Sequence, residues 1–351
     1  MDNQELQKFI GLDTLNVSEA MQKIDNNSNG ILFLVNDISS LVGCITDGDI
    51  RRFLLAGGKM TDPAVKAANS HPRTASSLEE AKHLYHNRDF VVIPIVDENG
   101  KIIDLYTGKT DETLFKKHNP LRVPVVINAG GKGSRLDPFT RVLPKPLIPV
   151  GELPIIELIM KEYESYACDE FHIIVNYKRG LMKAYFADNE RKYNITWHDE
   201  EEPLGTGGGL RLLRGKIDST FFFANCDALL TANYESIMKF HKENNNVITM
   251  ICAYKNINIP YGVVDMGVNG AIENMKEKPL ISFLTNTGIY IVEPEVIDDI
   301  ADGEVIGFPD IVEREKQKGK KVAVFPVSEN DWMDMGQFPE LEKMRIKLYG
   351  E

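Results

Sequence analysis

The stretch Asn128-Ala129-Gly130-Gly131-Lys132-Gly133-Ser134-Arg135-Leu136 brings three glycines together just before an arginine. Glycine lets the main chain approach a phosphate closely, with its N–H groups aimed at the oxygens. Two common phosphate loops are excluded. The Walker spacing is absent, and the dinucleotide fingerprint fails at Leu136, which stands where its third glycine belongs. What remains is G-G-x-G-[ST]-R-L, followed nine residues after Leu136 by Lys145 in Leu143-Pro144-Lys145-Pro146-Leu147. Arginine offers a fork to phosphate oxygens and lysine a point charge. A glycine loop with two cations at fixed spacing therefore points to polyphosphate binding.

Other residues could supply the rest of such chemistry. Asp227 follows the apolar run Phe221-Phe222-Phe223-Ala224 in Asn225-Cys226-Asp227, and Asp334 lies far downstream in Trp332-Met333-Asp334-Met335-Gly336. Taken alone, each reads as an N-cap or turn residue, and the spacing does not bring them together. A second glycine cluster, Glu202-Pro203-Leu204-Gly205-Thr206-Gly207-Gly208-Gly209-Leu210, reads by itself as a turn before a helix over 210–214. Glu277-Lys278-Pro279 is by itself a charged, solvated turn.

The elements that must position these residues alternate. Val125-Val126-Ile127 reads as a strand, and Ile155–Tyr166 carries a helical apolar stripe. Phe171–Val175 is a strand and Leu181–Asp188 a helix. Phe221–Ala224 is a continuous apolar run expected of a strand buried on both faces. Tyr234–Glu243 is a helix, Val247–Ala253 a strand and Pro339–Tyr349 an amphipathic packing helix. The alternation implies an α/β fold with a mostly parallel, doubly wound sheet, and such sheets bind ligands beyond the C-terminal ends of their strands.

The segment before residue 120 repeats at a shift of 61: Ala20 falls on Ala81, Val35 on Val96 and Thr46 on Thr107. Each copy reads as helix, strand, turn, strand: Ser18–Asn26, Ile31–Val35 and Leu41–Thr46 in the first, Ser77–Asn87, Phe90–Val96 and Lys101–Thr107 in the second. Units this short cannot bury separate cores, so the copies are expected to pack together. The polar, proline-bearing stretch Phe115–Pro124 separates a domain over 1–119 from one over 123–351.

Composition sets outer limits. The chain of 351 residues has 43% apolar and 26% charged residues and a net charge of −12. That balance fits a globular chain, and the acidity argues against nucleic acid as a partner. No apolar stretch approaches the ~20 residues a membrane span needs, and the N-terminus lacks the basic and apolar regions of a signal peptide. The cysteines Cys44, Cys168, Cys226 and Cys252 lie far apart, which is expected of a reducing cytoplasm.

The motif Ala129–Leu136 with Pro144-Lys145-Pro146 resembles the signature of the sugar-1-phosphate nucleotidylyltransferases over about residues 123–351. The resemblance implies a Rossmann-like nucleotidyltransferase fold. It also implies a triphosphate wrapped by Ala129, Gly130, Gly131, Gly133, Ser134 and Arg135, with Lys145 on the reacting phosphates. The second cluster, through Glu202, Gly205, Thr206 and Gly207, would hold the base and ribose, and its Leu-Gly-Thr-Gly-Gly form is most similar to guanylyltransferases. Asp227 and Asp334 match the family's Mg²⁺ ligands. Gly262 in Tyr261-Gly262-Val263-Val264, Glu277, Lys278, Asn286 and Thr287 match its sugar-phosphate site, with Lys278 on the phosphate. Arg135, Lys145 and Lys278 would carry the catalytic charge. The usual Leu-Tyr-Pro-Leu-Thr is here Leu136-Asp137-Pro138-Phe139-Thr140, which adds an acid beside the phosphates.

The N-terminal repeat resembles a tandem CBS pair, a Bateman module, over about residues 8–118. Its first copy carries Gly43-Cys44-Ile45-Thr46-Asp47-Gly48-Asp49-Ile50, in which Thr46 and Asp49 match the family's adenosine-nucleotide contacts. The second copy keeps Thr107 but has Thr110 in place of the ribose-binding Asp. Two roles stay open for this module, sensing of an adenine nucleotide and assembly of a homo-oligomer. The combined architecture resembles the glucosamine-1-phosphate guanylyltransferases of bacterial legionaminic-acid synthesis. The expected substrates are an NTP, GTP first, and a sugar 1-phosphate. Two alternatives stand: a uridylyl-, thymidylyl- or cytidylyltransferase, and a nucleotide-sensing regulator with an inactive transferase domain.

Overall fold

The computed structural model describes residues 3–27, 30–86, 92–107, 118–188 and 193–349. Asn87, Phe90, Thr110 and the first residues of the expected linker lie outside them. The chain forms two compact units.

The first unit begins with α1 (Asn3–Lys8), β1 (Ile10–Leu12), α2 (Val17–Asn27), β2 (Ile31–Val35), β3 (Leu41–Thr46) and α3 (Asp47–Leu55). The second copy follows as α4 (Leu78–His86), β4 (Val92–Val96) and β5 (Ile102–Thr107). Strands β2 and β3 pair antiparallel, as do β4 and β5. The copies meet at equivalent turns: Ser40 bridges Lys101, its counterpart at the 61-residue shift. Phe33, Val35 and Cys44 of the first copy share one apolar cluster with Val92, Ile102 and Leu105 of the second. The expected joint core is thus present. Helix α3 was not expected. It is started by a reciprocal cap, in which Asp49 N–H donates to Thr46 Oγ1 and Thr46 N–H donates to Asp49 Oδ2 at 3.0 Å.

The second unit opens with β6 (Val125–Asn128), α5 (Phe139–Val142), β7 (Pro149–Val150), β8 (Leu153–Pro154), α6 (Ile155–Glu164), β9 (Glu170–Val175), α7 (Arg179–Asp188) and β10 (Asn194–Asp199). It continues with β11 (Phe221–Asn225), β12 (Ala228–Leu230), α8 (Tyr234–Glu243) and β13 (Ile248–Asn258). The chain then makes a hairpin of β14 (Val263–Met266) and β15 (Ile272–Lys276), and returns on β16 (Leu280–Val292). It ends with α9 (Glu295–Asp298), α10 (Phe308–Gln317), β17 (Val322–Val327), β18 (Trp332–Asp334) and α11 (Phe338–Tyr349).

Seven strands form the central sheet in the order β10-β9-β6-β11-β16-β13-β17. The pairs β10/β9, β9/β6, β6/β11 and β13/β17 are parallel, and β16 runs antiparallel to β11. The strand period sends Phe222 and Ala224 into one apolar cluster and Phe221 and Phe223 into the other, which explains the unbroken apolar run.

Residues Tyr254–Leu284 and Ser328–Asn330, read from sequence as part of the C-terminal domain, belong to the same compact unit as the N-terminal segment. Tyr254 packs against the cluster of Val17, Met21, Ile24 and Leu32. Among the described residues no helix is long and apolar enough to cross a membrane.

Candidate functional site

Strands β6, β9, β10 and β11 end together at one edge of the parallel sheet, and the chemistry-bearing residues of the second unit gather there. The loop after β6 is held at its root, where Ala129 N–H donates to Ile174 O at 2.8 Å. Gly131 is exposed and a Cβ there would meet nothing within 4 Å, so its main chain faces open space. Gly133 takes φ +65°, and a Cβ would lie 2.9 Å from Lys145 Cβ. The loop thus needs glycine at 133 both for its turn and to admit the lysine stem. Thr140 Oγ1 closes it by donating to Gly133 O at 3.1 Å. Ser134 and Arg135 follow on an exposed 3₁₀ turn.

Lys145 is buried, and its ammonium donates to Asp227 Oδ2. Asp227 sits just before β12, which pairs antiparallel with β18 so that Ala228 faces Asp334. Met335 N–H donates to Asp227 O at 2.9 Å. The two aspartates that sequence spacing left apart are therefore neighbours. Gly336 completes the group: a Cβ there would lie 2.8 Å from Asp334 Oδ2 and 3.4 Å from Arg135 Nη1. Two carboxylates and two cations converge under the open loop. Two aspartates form a donor set that fits Mg²⁺, a hard cation that completes its shell with phosphates and water.

The extra acid of the loop is neutralised locally. Arg141 grips Asp137 with both arms of its guanidinium, at 2.6 and 2.7 Å, and this holds the Asp137 carboxyl below its usual range. Cys226, next to Asp227, is pushed up to about 12 by burial, so its thiol stays protonated and is no nucleophile.

The second glycine cluster is built differently from the first. Gly207 and Gly208 donate their N–H groups to Ile306 O, and Phe308 N–H donates to Thr206 Oγ1 at 3.0 Å. Gly205 and Thr206 are exposed at the rim, as is Glu202. Asn128 Nδ2 donates to Thr206 O at 3.2 Å and so ties this cluster to the root of the phosphate loop.

One residue escaped the sequence reading. Glu200 is only 3% exposed, and its carboxyl lies between the clusters: a Cβ on Gly130 would be 2.7 Å from Oε2, and one on Gly209 would be 2.5 Å from Oε1. Burial raises this carboxyl to about 7. Its signal was present in the run Glu200-Glu201-Glu202, because an acid just after a strand of a parallel sheet lies at the ligand edge.

Of the sugar-phosphate candidates, Gly262 and Glu277 meet in the first unit. The register sets Val263 against Lys276, and a Cβ on Gly262 would lie 3.0 Å from Glu277 Oε2. Lys278 takes φ +43° in the turn into β16, a strained backbone for a side-chain-bearing residue. The turn is fastened by Ile259 N–H donating to Pro279 O. Asn286 and Thr287 belong to the second unit. Thr287 Oγ1 is buried and donates to Ile251 O at 2.8 Å, and Asn286 Nδ2 donates to Tyr290 OH. Thr46 and Asp49 bond to each other in the cap of α3, and Asp49 also pairs with Arg52.

Several known proteins are similar to this chain. A mannose-1-phosphate guanyltransferase of Pichia angusta is 33% identical over 225 residues, 60% of each chain. A UTP–glucose-1-phosphate uridylyltransferase of Synechocystis is 30% identical over 240 residues, 61% of this chain and 60% of its own. The chain thus spans about 60% of the length of these curated relatives. In fold, the chain is similar to a crystal structure of HddC from Yersinia pseudotuberculosis, with a TM-score of 0.51 at 22% identity, covering 64% of this chain and 99% of that one. A putative glucose-1-phosphate thymidylyltransferase from Bacillus anthracis aligns with the same score at 21% identity, covering 64% of this chain and 94% of its own. The nucleotidyl transferase family model matches residues 124–349, and the chain belongs to that family.

Proposed function

We propose that this chain condenses a nucleoside triphosphate with a sugar 1-phosphate, releasing pyrophosphate and an NDP-sugar. The observation that carries this reading is the convergence of Lys145, Asp227, Asp334 and Arg135 beneath the open loop at Gly131. Attack of the sugar phosphate oxygen on the α-phosphorus needs no protein nucleophile. It needs two anions held in line with their charge neutralised. The loop N–H groups and Arg135 would hold the triphosphate, and Lys145 would turn from Asp227 to the reacting phosphates. Asp227 and Asp334 would hold Mg²⁺, which when bound supplies positive charge to the phosphate oxygens. Lys278 would hold the sugar phosphate.

GTP is the preferred triphosphate in this reading. The second glycine cluster, Leu204-Gly205-Thr206-Gly207-Gly208, would hold the base, and its form is most similar to guanylyltransferases. The mannose-1-phosphate guanyltransferase relative supports the same choice. The reading extends to Mg²⁺ dependence, a cytoplasmic setting and a product used for bacterial surface glycan. The N-terminal unit, as a CBS-like pair, would assemble a homo-oligomer. Assembly is favoured over nucleotide sensing because Thr46 and Asp49 are already committed to the α3 cap.

Pyrophosphate release, measured with GTP, UTP, dTTP and CTP against a panel of sugar 1-phosphates, tests the proposal. The expected result is turnover that depends on both substrates and is fastest with GTP. No turnover with any pair would overturn the transferase reading, and faster turnover with a pyrimidine triphosphate would overturn the base assignment.

A further inference from the structure

Helix α2 presents three kinds of side chain. Val17, Ala20, Met21 and Ile24 are buried in the core of the first unit. Ser18 and Asp25, seven residues apart, share another face two turns long. Ser18 Oγ lies 2.8 Å from Ser282 Oγ, and Ser282 Oγ donates to Asn256 Oδ1 at 2.6 Å. Asp25 Oδ1 accepts from Ser328 Oγ at 2.7 Å and from Asn330 Nδ2 at 3.2 Å, and Asn330 Nδ2 also reaches Asp25 O at 3.0 Å. Ser18 and Ser328 are buried, so these bonds are shielded from competing water. Tyr254 packs its ring on the same helix cluster.

Asn256 and Ser282 lie on the two strands that lead into and out of the hairpin with Gly262, Glu277 and Lys278. Ser282 is four residues beyond Lys278. The hairpin has little other support. Strands β14 and β15 pair only with each other, and β15 is exposed along its whole length. An isolated two-stranded hairpin is marginal in water. Its geometry must be set at its base, where β13 and β16 lie side by side, Ile259 N–H donates to Pro279 O, and Asn256 and Ser282 meet Ser18 of α2.

We propose that α2 is a positioning platform for the sugar-phosphate arm: Ser18 fixes the strands that aim Lys278, and Asp25 fixes the turn at 328–330, which reaches β13 through the Lys255–Glu329 ion pair at 3.5 Å, so the N-terminal unit governs sugar 1-phosphate binding. This rests on the assignment of Lys278 to the sugar phosphate.

The test uses the full-length chain and the variants Ser282→Ala, Asp25→Ala and Ser282→Thr. Hydrogen exchange over 255–284 and both KM values are read for each. Ser282→Ala and Asp25→Ala should speed exchange in the arm and leave 125–128 and 170–175 unchanged. They should raise KM for the sugar 1-phosphate about two- to tenfold, the size of a lost buried hydrogen bond. KM for the triphosphate should stay within twofold of wild type, and Ser282→Thr, which restores the hydroxyl, should recover most of the loss. Unchanged arm exchange, or equal shifts in both KM values, would overturn the proposal. Wild type separates the two levels, since failure of the transferase reading shows as an inactive wild-type chain, and failure of the platform shows as an active wild type whose variants lack the KM split.

Discussion

The two glycine clusters have nearly the same composition and differ in how much of their backbone stays open. In the first, Gly131 has empty space where a side chain would be, and its backbone lies open beside Arg135 and the Lys145–Asp227 pair. In the second, a Cβ on Gly208 would lie 2.2 Å from Glu304 O, and one on Gly205, at φ +81°, would lie 2.6 Å from Ile306 O. There, glycine lets two backbone segments close on one another, and the N–H groups of Gly207 and Gly208 are taken by Ile306. Gly131 is open to solvent, whereas Gly130 and Gly133 of the same loop, like the glycines of the second cluster, make room for the chain's own groups. Glycine density in a sequence marks close approach without saying what approaches.

If the first loop is the chemical one, the carboxylates beneath it carry the largest effect. Asp227→Asn and Asp334→Asn should each lower kcat by about a hundredfold or more, since each removes a ligand charge from a site whose task is electrostatic. Thermal unfolding should stay close to wild type in Asp334→Asn and fall in Asp227→Asn, which leaves the buried Lys145 ammonium without its counter-charge. Steady-state kinetics across a Mg²⁺ titration checks this, and near-normal turnover at limiting Mg²⁺ would remove the metal assignment.

Lys278 sharpens the contrast, because it holds a left-handed backbone without being glycine. A positive φ at a charged residue beside the proposed sugar-phosphate site motivates a test of its side chain. Lys278→Ala should raise KM for the sugar 1-phosphate roughly ten- to a hundredfold, as expected for a charge-assisted contact. A larger effect on the triphosphate KM would mean that the two substrates are exchanged in this reading.

Alanine at one position of each cluster separates packing from binding. Gly208→Ala forces a methyl group into Glu304 O and should destabilise the fold by about 3 kcal/mol, within the range of core overpacking. Gly131→Ala has room and should change stability by no more than about 0.5 kcal/mol. Denaturant titration of both variants decides the matter, and equal losses would abolish the distinction between the clusters.

Much of this was legible in the residues. The run Phe221–Ala224, the stripe of Ile155–Glu164 and the helix Tyr234–Glu243 appear where periodicity places them, because local pattern and burial agree. Helix α3 was not read, although Thr46 and Asp49 spell its cap. The pair matched a ligand motif as readily as a helix start. The adjacency of Asp227 and Asp334 was illegible because it is made by pairing β12 with β18, two three-residue strands far apart in the chain. The same holds for the arm. Ser18 and Ser282 are 264 positions apart, and no local signal links a helix N-terminus to a distant polar strand residue.

Glu200 offers the finest test, since it touches both clusters at once. Its carboxyl is raised from 4.5 to about 7 by burial. The folded chain therefore holds this proton more tightly than the unfolded chain does. The stability so conferred is fully present below about 4.5 and is lost as pH rises through about 7. Glu200→Gln cannot lose a proton. Its Tm relative to wild type should therefore climb between pH 5 and pH 8, by a few degrees at most in a unit of this size. A difference independent of pH would mean that the carboxyl is solvated, and that it is not wedged between Gly130 and Gly209.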